Sequence, residues 1–152
     1  MDRLRIPKHR AEVEVTGPDG QARRFSLFLS ESTGSHGGPE RVVDLLNGPR
    51  EFLPAVDCET DATIFLVRSS IVIARVAGPL WDVDEMNLPL EHEVELVLSD
   101  GKALRGLVSY VLPSESSRVV DYLNDPAPFL ALVEGERVAL VNKRHVLRVA
   151  LR

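Results

Sequence analysis

Apolar and polar residues alternate with period two at the start of the chain. Ala11, Val13 and Val15 alternate with Glu12 and Glu14, and Phe25, Leu27 and Leu29 alternate with Arg24, Ser26, Phe28 and Ser30. Alternation of this kind puts one side of a strand in a core and the other in water. Between the two runs stands Gly17-Pro18-Asp19-Gly20, whose glycines admit the positive φ of a tight turn. The pattern predicts a β-hairpin. It returns later in the chain. Val94, Leu96 and Leu98 alternate with Glu93, Glu95 and Val97, Ser99-Asp100-Gly101-Lys102 makes the turn, and residues 104–111 return.

After each hairpin the period lengthens. Val42, Leu45 and Leu46 fall at i, i+3 and i+4, as do Val119, Tyr122 and Leu123. That spacing lines one side of a helix of about two turns, too short to hold without packing. Asn47 and Asn124 are expected to end these helices in the left-handed conformation, with Pro49 and Pro126 forbidding continuation. Strands are then predicted over 52–56, 64–67 and 71–74, and over 129–133, 138–141 and 146–149. The last two of each set are expected to form a hairpin around Arg68-Ser69-Ser70 or Asn142-Lys143-Arg144.

These parallels reflect a repeat. Of the 13 residues from Arg41 to Leu53, 9 recur identically from Arg118 to Leu130, 77 positions on. Self-similarity at a fixed period is a property of architecture. Each copy reads as five strands and a short helix, and five short antiparallel strands hide their edges best by curling. The fold class expected is mainly β with short helices, as two homologous five-stranded small barrels related by pseudo-two-fold symmetry. The organisation expected is an N-terminal arm (1–10), repeat 1 (11–77), a linker (78–90) and repeat 2 (91–152). The Ser- and Gly-rich stretch 31–40 reads as a surface loop.

Composition narrows the function classes. With 44% hydrophobic residues in 152, a core can be buried, and halves of about 75 residues are near the lower limit for folding alone. A net charge of −5 argues against general binding to a phosphate backbone. Cys58 is the only cysteine, so no internal disulfide forms and a reducing cytoplasm is expected. The basic first residues precede no apolar run, so no signal peptide is expected, and no membrane span either.

The chemistry sought is sparse. His9, His36, His92 and His145 are scattered, so no metal site and no cofactor are expected. Asp57 and Glu59 beside Cys58 oppose thiolate formation. Nucleophile elbows, phosphate loops and dinucleotide fingerprints do not occur, so no enzyme is expected. Asp44 and Asp121 form a repeated carboxylate pair, but Arg41 and Arg118 at i−3 are placed to neutralise them. Arg41, Asp44, Asn47, Arg118, Asp121 and Asn124 are therefore read as a structural motif. Lys143, Arg144, Arg148 and Arg152, with Arg137 not far off, make the one basic cluster, and Lys143, Arg144, His145 and Arg148 are the candidate binding site.

Arg118-Val119-Val120-Asp121-Tyr122-Leu123-Asn124, followed by Leu140-Val141-Asn142-Lys143, resembles an uncharacterised bacterial family of small β domains, present here as a tandem repeat. That family implies no catalytic residues. The five-strand plan is also similar, more distantly, to Sm-like barrels, including bacterial RNA chaperones. Val141-Asn142-Lys143-Arg144-His145-Val146 resembles their apolar-Tyr-Lys-His-apolar RNA-holding stretch, with Asn142 in the tyrosine's place. The function expected is a non-catalytic binding or regulatory module acting through a protein partner or self-association. The alternatives are an Sm-like RNA binder and a small-molecule sensor with a pocket between the repeats.

Overall fold

A computed structural model describes residues 8–30, 39–77, 90–110 and 118–152. The loop 31–38, the linker up to residue 89 and most of the arm fall outside them. The protein is mainly β, with two short α-helices among the described residues. The chain divides into two compact units, Met1–Val72 and Ile73–Arg152.

The first unit runs β1 (Lys8–Thr16), β2 (Ala22–Ser30), α1 (Val42–Leu46), β3 (Phe52–Asp57) and β4 (Thr63–Val67), then a 3₁₀ turn, Arg68–Ser70. β1 begins inside the stretch expected to be a free arm. The strands pair antiparallel in chain order. Thr16 faces Ala22 across the first turn, where Gly20 has φ 81°. Val13, Leu27, Leu29, Leu53 and Ala55 form the core, and α1 adds Val42, Leu45 and Leu46 to it. Each of these Val and Leu side chains contributes about 1.5–3 kcal/mol through its removal from water.

The second unit contains β5 (Ile73–Ala77), β6 (Leu90–Leu98), β7 (Ala103–Tyr110), α2 (Val119–Leu123), β8 (Phe129–Glu134) and β9 (Arg137–Asn142). A 3₁₀ turn, Lys143–His145, leads to β10 (Val146–Leu151). The strand order is β10-β6-β7-β8-β9-β5. Gly101, with φ 92°, closes the β6–β7 turn as Gly20 closes the first. Val94, Leu96, Val108, Leu130, Leu132, Leu140 and Val141 are buried.

Two expectations are corrected. The final hairpins do not form. β4 pairs with β3, β9 with β8 and β5, and β10 with β6. A tight hairpin needs positive φ in its loop, and neither Arg-Ser-Ser nor Lys-Arg-His supplies it. Each becomes a 3₁₀ turn tied to the start of an earlier strand: Arg68 N–H donates to Glu51 O at 2.7 Å and Lys143 N–H to Pro128 O at 2.9 Å. The strand leaving each turn therefore pairs elsewhere. The helix stops are not left-handed either. Asn47 has φ −93° and Asn124 φ −90°, an ordinary right-handed final turn in which each Asn N–H still bonds back into its helix.

Candidate functional site

In each copy the Arg and Asp of the repeated motif pair across the first turn of the short helix. Asp44 Oδ2 accepts from Arg41 N–H at 2.9 Å and from Arg41 Nε at 3.1 Å, which fixes the start of α1. Arg118 Nε reaches Asp121 Oδ2 at 3.3 Å, but the Arg118 side chain is 79% exposed where that of Arg41 is 35% exposed. α2 has no buried residue, whereas α1 has three.

The basic cluster does not present four free cations. Lys143 Nζ donates to the backbone O of Asp125 at 2.7 Å, just past the end of α2, and lies 5.9 Å from the centre of the Tyr122 ring. Burial lowers the Lys143 pKa, against the pull of Asp125. His145 is tied through its carbonyl, which accepts from Ser99 N–H at 2.8 Å. Arg144 is exposed, and its N–H donates to the buried Asn142 Oδ1 at 3.1 Å. Arg148 is exposed on β10. Glu95 is held below the usual carboxylate range by its hydrogen bond from Arg105, with Arg152 and Arg148 adding to the effect. The first unit repeats the Lys143 arrangement: an Arg68 guanidinium N–H donates to Gly48 O, 77 positions before Asp125.

Sequence reasoning missed a ring stack in the second unit. Tyr110 lies 5.0 Å from Tyr122 and 6.0 Å from His92, centre to centre, with rings nearly parallel. Tyr122 Oη accepts from Ala131 N–H at 2.9 Å. Burial raises the pKa of both phenols, with the charge of Asp121 adding at Tyr110 and that of Asp125 at Tyr122, where the bond from Ala131 opposes the rise. Tyr110 is buried, Tyr122 half-buried and His92 exposed, so the stack runs from the core to the surface, and the Tyr110 ring is closed to any ligand.

The open surface lies elsewhere, on β3 and β4. Phe52 is 63% exposed and Phe65 is 67% exposed. Phe52 faces Val67 and Phe65 faces Pro54 across the β3–β4 ladder, so all four share one side of the sheet. Among the described residues β4 pairs with β3 alone and ends the strand order. Its sequence, Thr-Ile-Phe-Leu-Val, has none of the charges or prolines that blunt an unpaired edge.

Beside this edge an open cleft of about 890 Å³ is lined by Val15, Asp19, Arg23, Phe25, Glu59 and Phe65, among others. Arg23 is fixed there by Asp57, at 2.7 Å, and Glu59, at 3.3 Å. The Arg23 hydrogen bond, helped by N–H bonds from Glu59 and Thr60, holds Asp57 below the usual carboxylate range despite its burial. The floor is apolar and the rim charged, a form that accepts a side chain or a small apolar group. Among the described residues no three His, Cys, Asp or Glu side chains come together as a metal site. The chain matches no protein-family model, no curated protein and no solved structure.

Proposed function

We propose that the protein is a non-catalytic binding module that takes up an extended segment of a protein partner along the outer edge of β4. The observation that carries this reading is the pair Phe52 and Phe65, both mostly exposed, on adjacent strands at an apolar edge. Strand addition of this kind draws affinity from main-chain hydrogen bonds and selectivity from pockets for alternate side chains, and the cleft beside Phe65 is such a pocket. In the same reading the two copies are diverged forms of one five-stranded plan, each curved as a small barrel. An exposed Cys58 suits a reducing compartment.

RNA binding is the weaker reading. It needs the basic cluster on one free face, while the Lys143 ammonium is tied to Asp125 O and Arg148 acts on Glu95. A sensor would use the cleft of the first unit.

The test compares the wild-type chain with the double variant Phe52→Ser, Phe65→Ser as bait in the native lysate, reading both protein and nucleic acid. Proteins retained by the wild type and lost by the variant support the proposal. Recovery of short RNA, lost on raising salt and unaffected by the variant, overturns it.

A further inference from the structure

We infer that the strand which seats on β4 is β10 of a second copy of this chain. The inference rests on the reading of the β4 edge as a binding surface and names its occupant.

The chain carries its own example of the joint. β9, the counterpart of β4, has β5 along its outer edge. Ile73 faces Val141, Ala74 faces Leu140, Arg75 faces Ala139, Val76 faces Val138 and Ala77 faces Arg137. At this joint Leu140 and Ala74 are fully buried. Phe65 stands where Leu140 stands, counting from the 3₁₀ turns that begin at Arg68 and Lys143, and it is 67% exposed. The edge that has a neighbour is closed and the edge without one is bare.

The strand that fits is also present. β10 is the counterpart of β5: each follows a 3₁₀ turn. Among the described residues β10 pairs with β6 alone and ends the strand order on its side. Val149 and Leu151 face the buried Leu96 and Val94, yet Leu151 is 63% exposed. An apolar residue on the core side of its sheet but bare at the rim is waiting for cover.

Carrying the β5–β9 register over sets Arg148 opposite Leu66, Val149 opposite Phe65, Ala150 opposite Ile64, Leu151 opposite Thr63 and Arg152 opposite Ala62. Phe65 and Leu151 are then covered together. Charge agrees with this placement. Arg152 comes beside the β3–β4 turn, which carries the exposed Glu59 and Asp61, and opposite charges across a contact fix its register. Because the two edges differ, the contact is head-to-tail, and successive copies build a closed ring or an open fibre.

The test is a cross-link between two different variants. Chains carrying Cys58→Ser with Phe65→Cys, and Cys58→Ser with Val149→Cys, are mixed under mild oxidation and read by intact mass. Residues directly opposite on paired strands have Cβ atoms about 4.5–5.5 Å apart, close enough for a disulfide after a small adjustment. A linked species holding one of each chain, dominating over either self-linked pair, is expected. Leu151→Glu, a change at an exposed site, is expected to abolish the concentration-dependent rise in mass seen by sedimentation. Absence of the mixed species, dominance of the Phe65→Cys self-linked pair, or Leu151→Glu assembling like the wild type overturns the inference. If the mixed link fails while the Phe52, Phe65 variant still loses lysate proteins, the occupant is wrong and the surface stands. If neither effect appears, both readings fall.

Discussion

Phe52 and Phe129 stand at the same place in the repeated sequence, 77 positions apart, yet Phe52 is 63% exposed and Phe129 is 3% exposed. One residue type thus serves as surface in one unit and as core in the other. Phe129→Ala is expected to cost about 3–5 kcal/mol, the range for emptying a buried aromatic site. Phe52→Ala is expected to stay within about 0.5 kcal/mol, as a surface change does. Urea unfolding of the two variants checks this, and equal losses would contradict it.

Acid should act through Arg23 and Asp57. Arg23 Nε donates to Asp57 Oδ2 at 2.8 Å and Glu59 N–H to Asp57 Oδ1 at 2.9 Å, so the folded chain holds this carboxyl below its ordinary value. A depressed folded pKa gives stability that is present above the unfolded value, about 4, and is lost as pH falls through the folded one. The gap in stability between wild type and Asp57→Asn is expected to be widest near neutrality and to close in acid. A gap that widens as pH falls would show that the pairing is not the cause.

The two cations at the 3₁₀ turns hold the helix ends. Arg68 donates to Gly48 O and pairs with Glu51, while Lys143 donates to Asp125 O. Arg68→Met removes a charge-assisted bond and leaves a carbonyl short of a donor, for a cost of about 1–3 kcal/mol. Lys143→Met is expected to cost less, because it also removes the penalty of burial that lowers the Lys143 pKa. Chemical denaturation of both variants gives the comparison, and a larger loss for Lys143→Met would reverse the assignment.

Gly106 is a point of close approach. A Cβ there would stand 2.5 Å from Val133 O and 2.9 Å from Leu132 Cγ. β7 and β8 are paired only at Leu107–Val133 and Val108–Leu132, so there is little ladder to absorb the crowding. Gly106→Ala is expected to destabilise by about 1–3 kcal/mol and to speed amide exchange in β7 and β8. Unchanged exchange there would show that the backbone shifts freely.

The hairpins were legible because two independent signals agree at each. Val13 and Val15, or Leu96 and Leu98, fix the period, and Asp19-Gly20 or Asp100-Gly101 fixes the turn. Partner choice beyond the turns was not legible. Ile71 to Ala74 reads as a strand whatever it pairs with, and only the tertiary fold sets β5 against β9. The helix stops were placed at the right residues with the wrong geometry, since asparagine serves a right-handed last turn equally well. The candidate site was the least legible part. Lys143 has the same letter whether its ammonium faces water or Asp125 O, and Phe52 the same letter as Phe129. Exposure belongs to what surrounds a residue. The doublet of Phe52 and Phe65 needs the β3–β4 register before it becomes a patch.

The ring stack gives the second unit a spectroscopic signature of its own. Tyr110 and Tyr122 are the only tyrosines in the chain, and they lie 5.0 Å apart with planes 11° from parallel. Phenol chromophores so arranged share their excitation, so near-ultraviolet circular dichroism in the tyrosine band reports on residues 73–152 alone. Residues 1–72 hold no tyrosine or tryptophan and are silent there. Heating while following this band beside the far-ultraviolet signal of all the strands resolves whether the halves melt as one body or in turn.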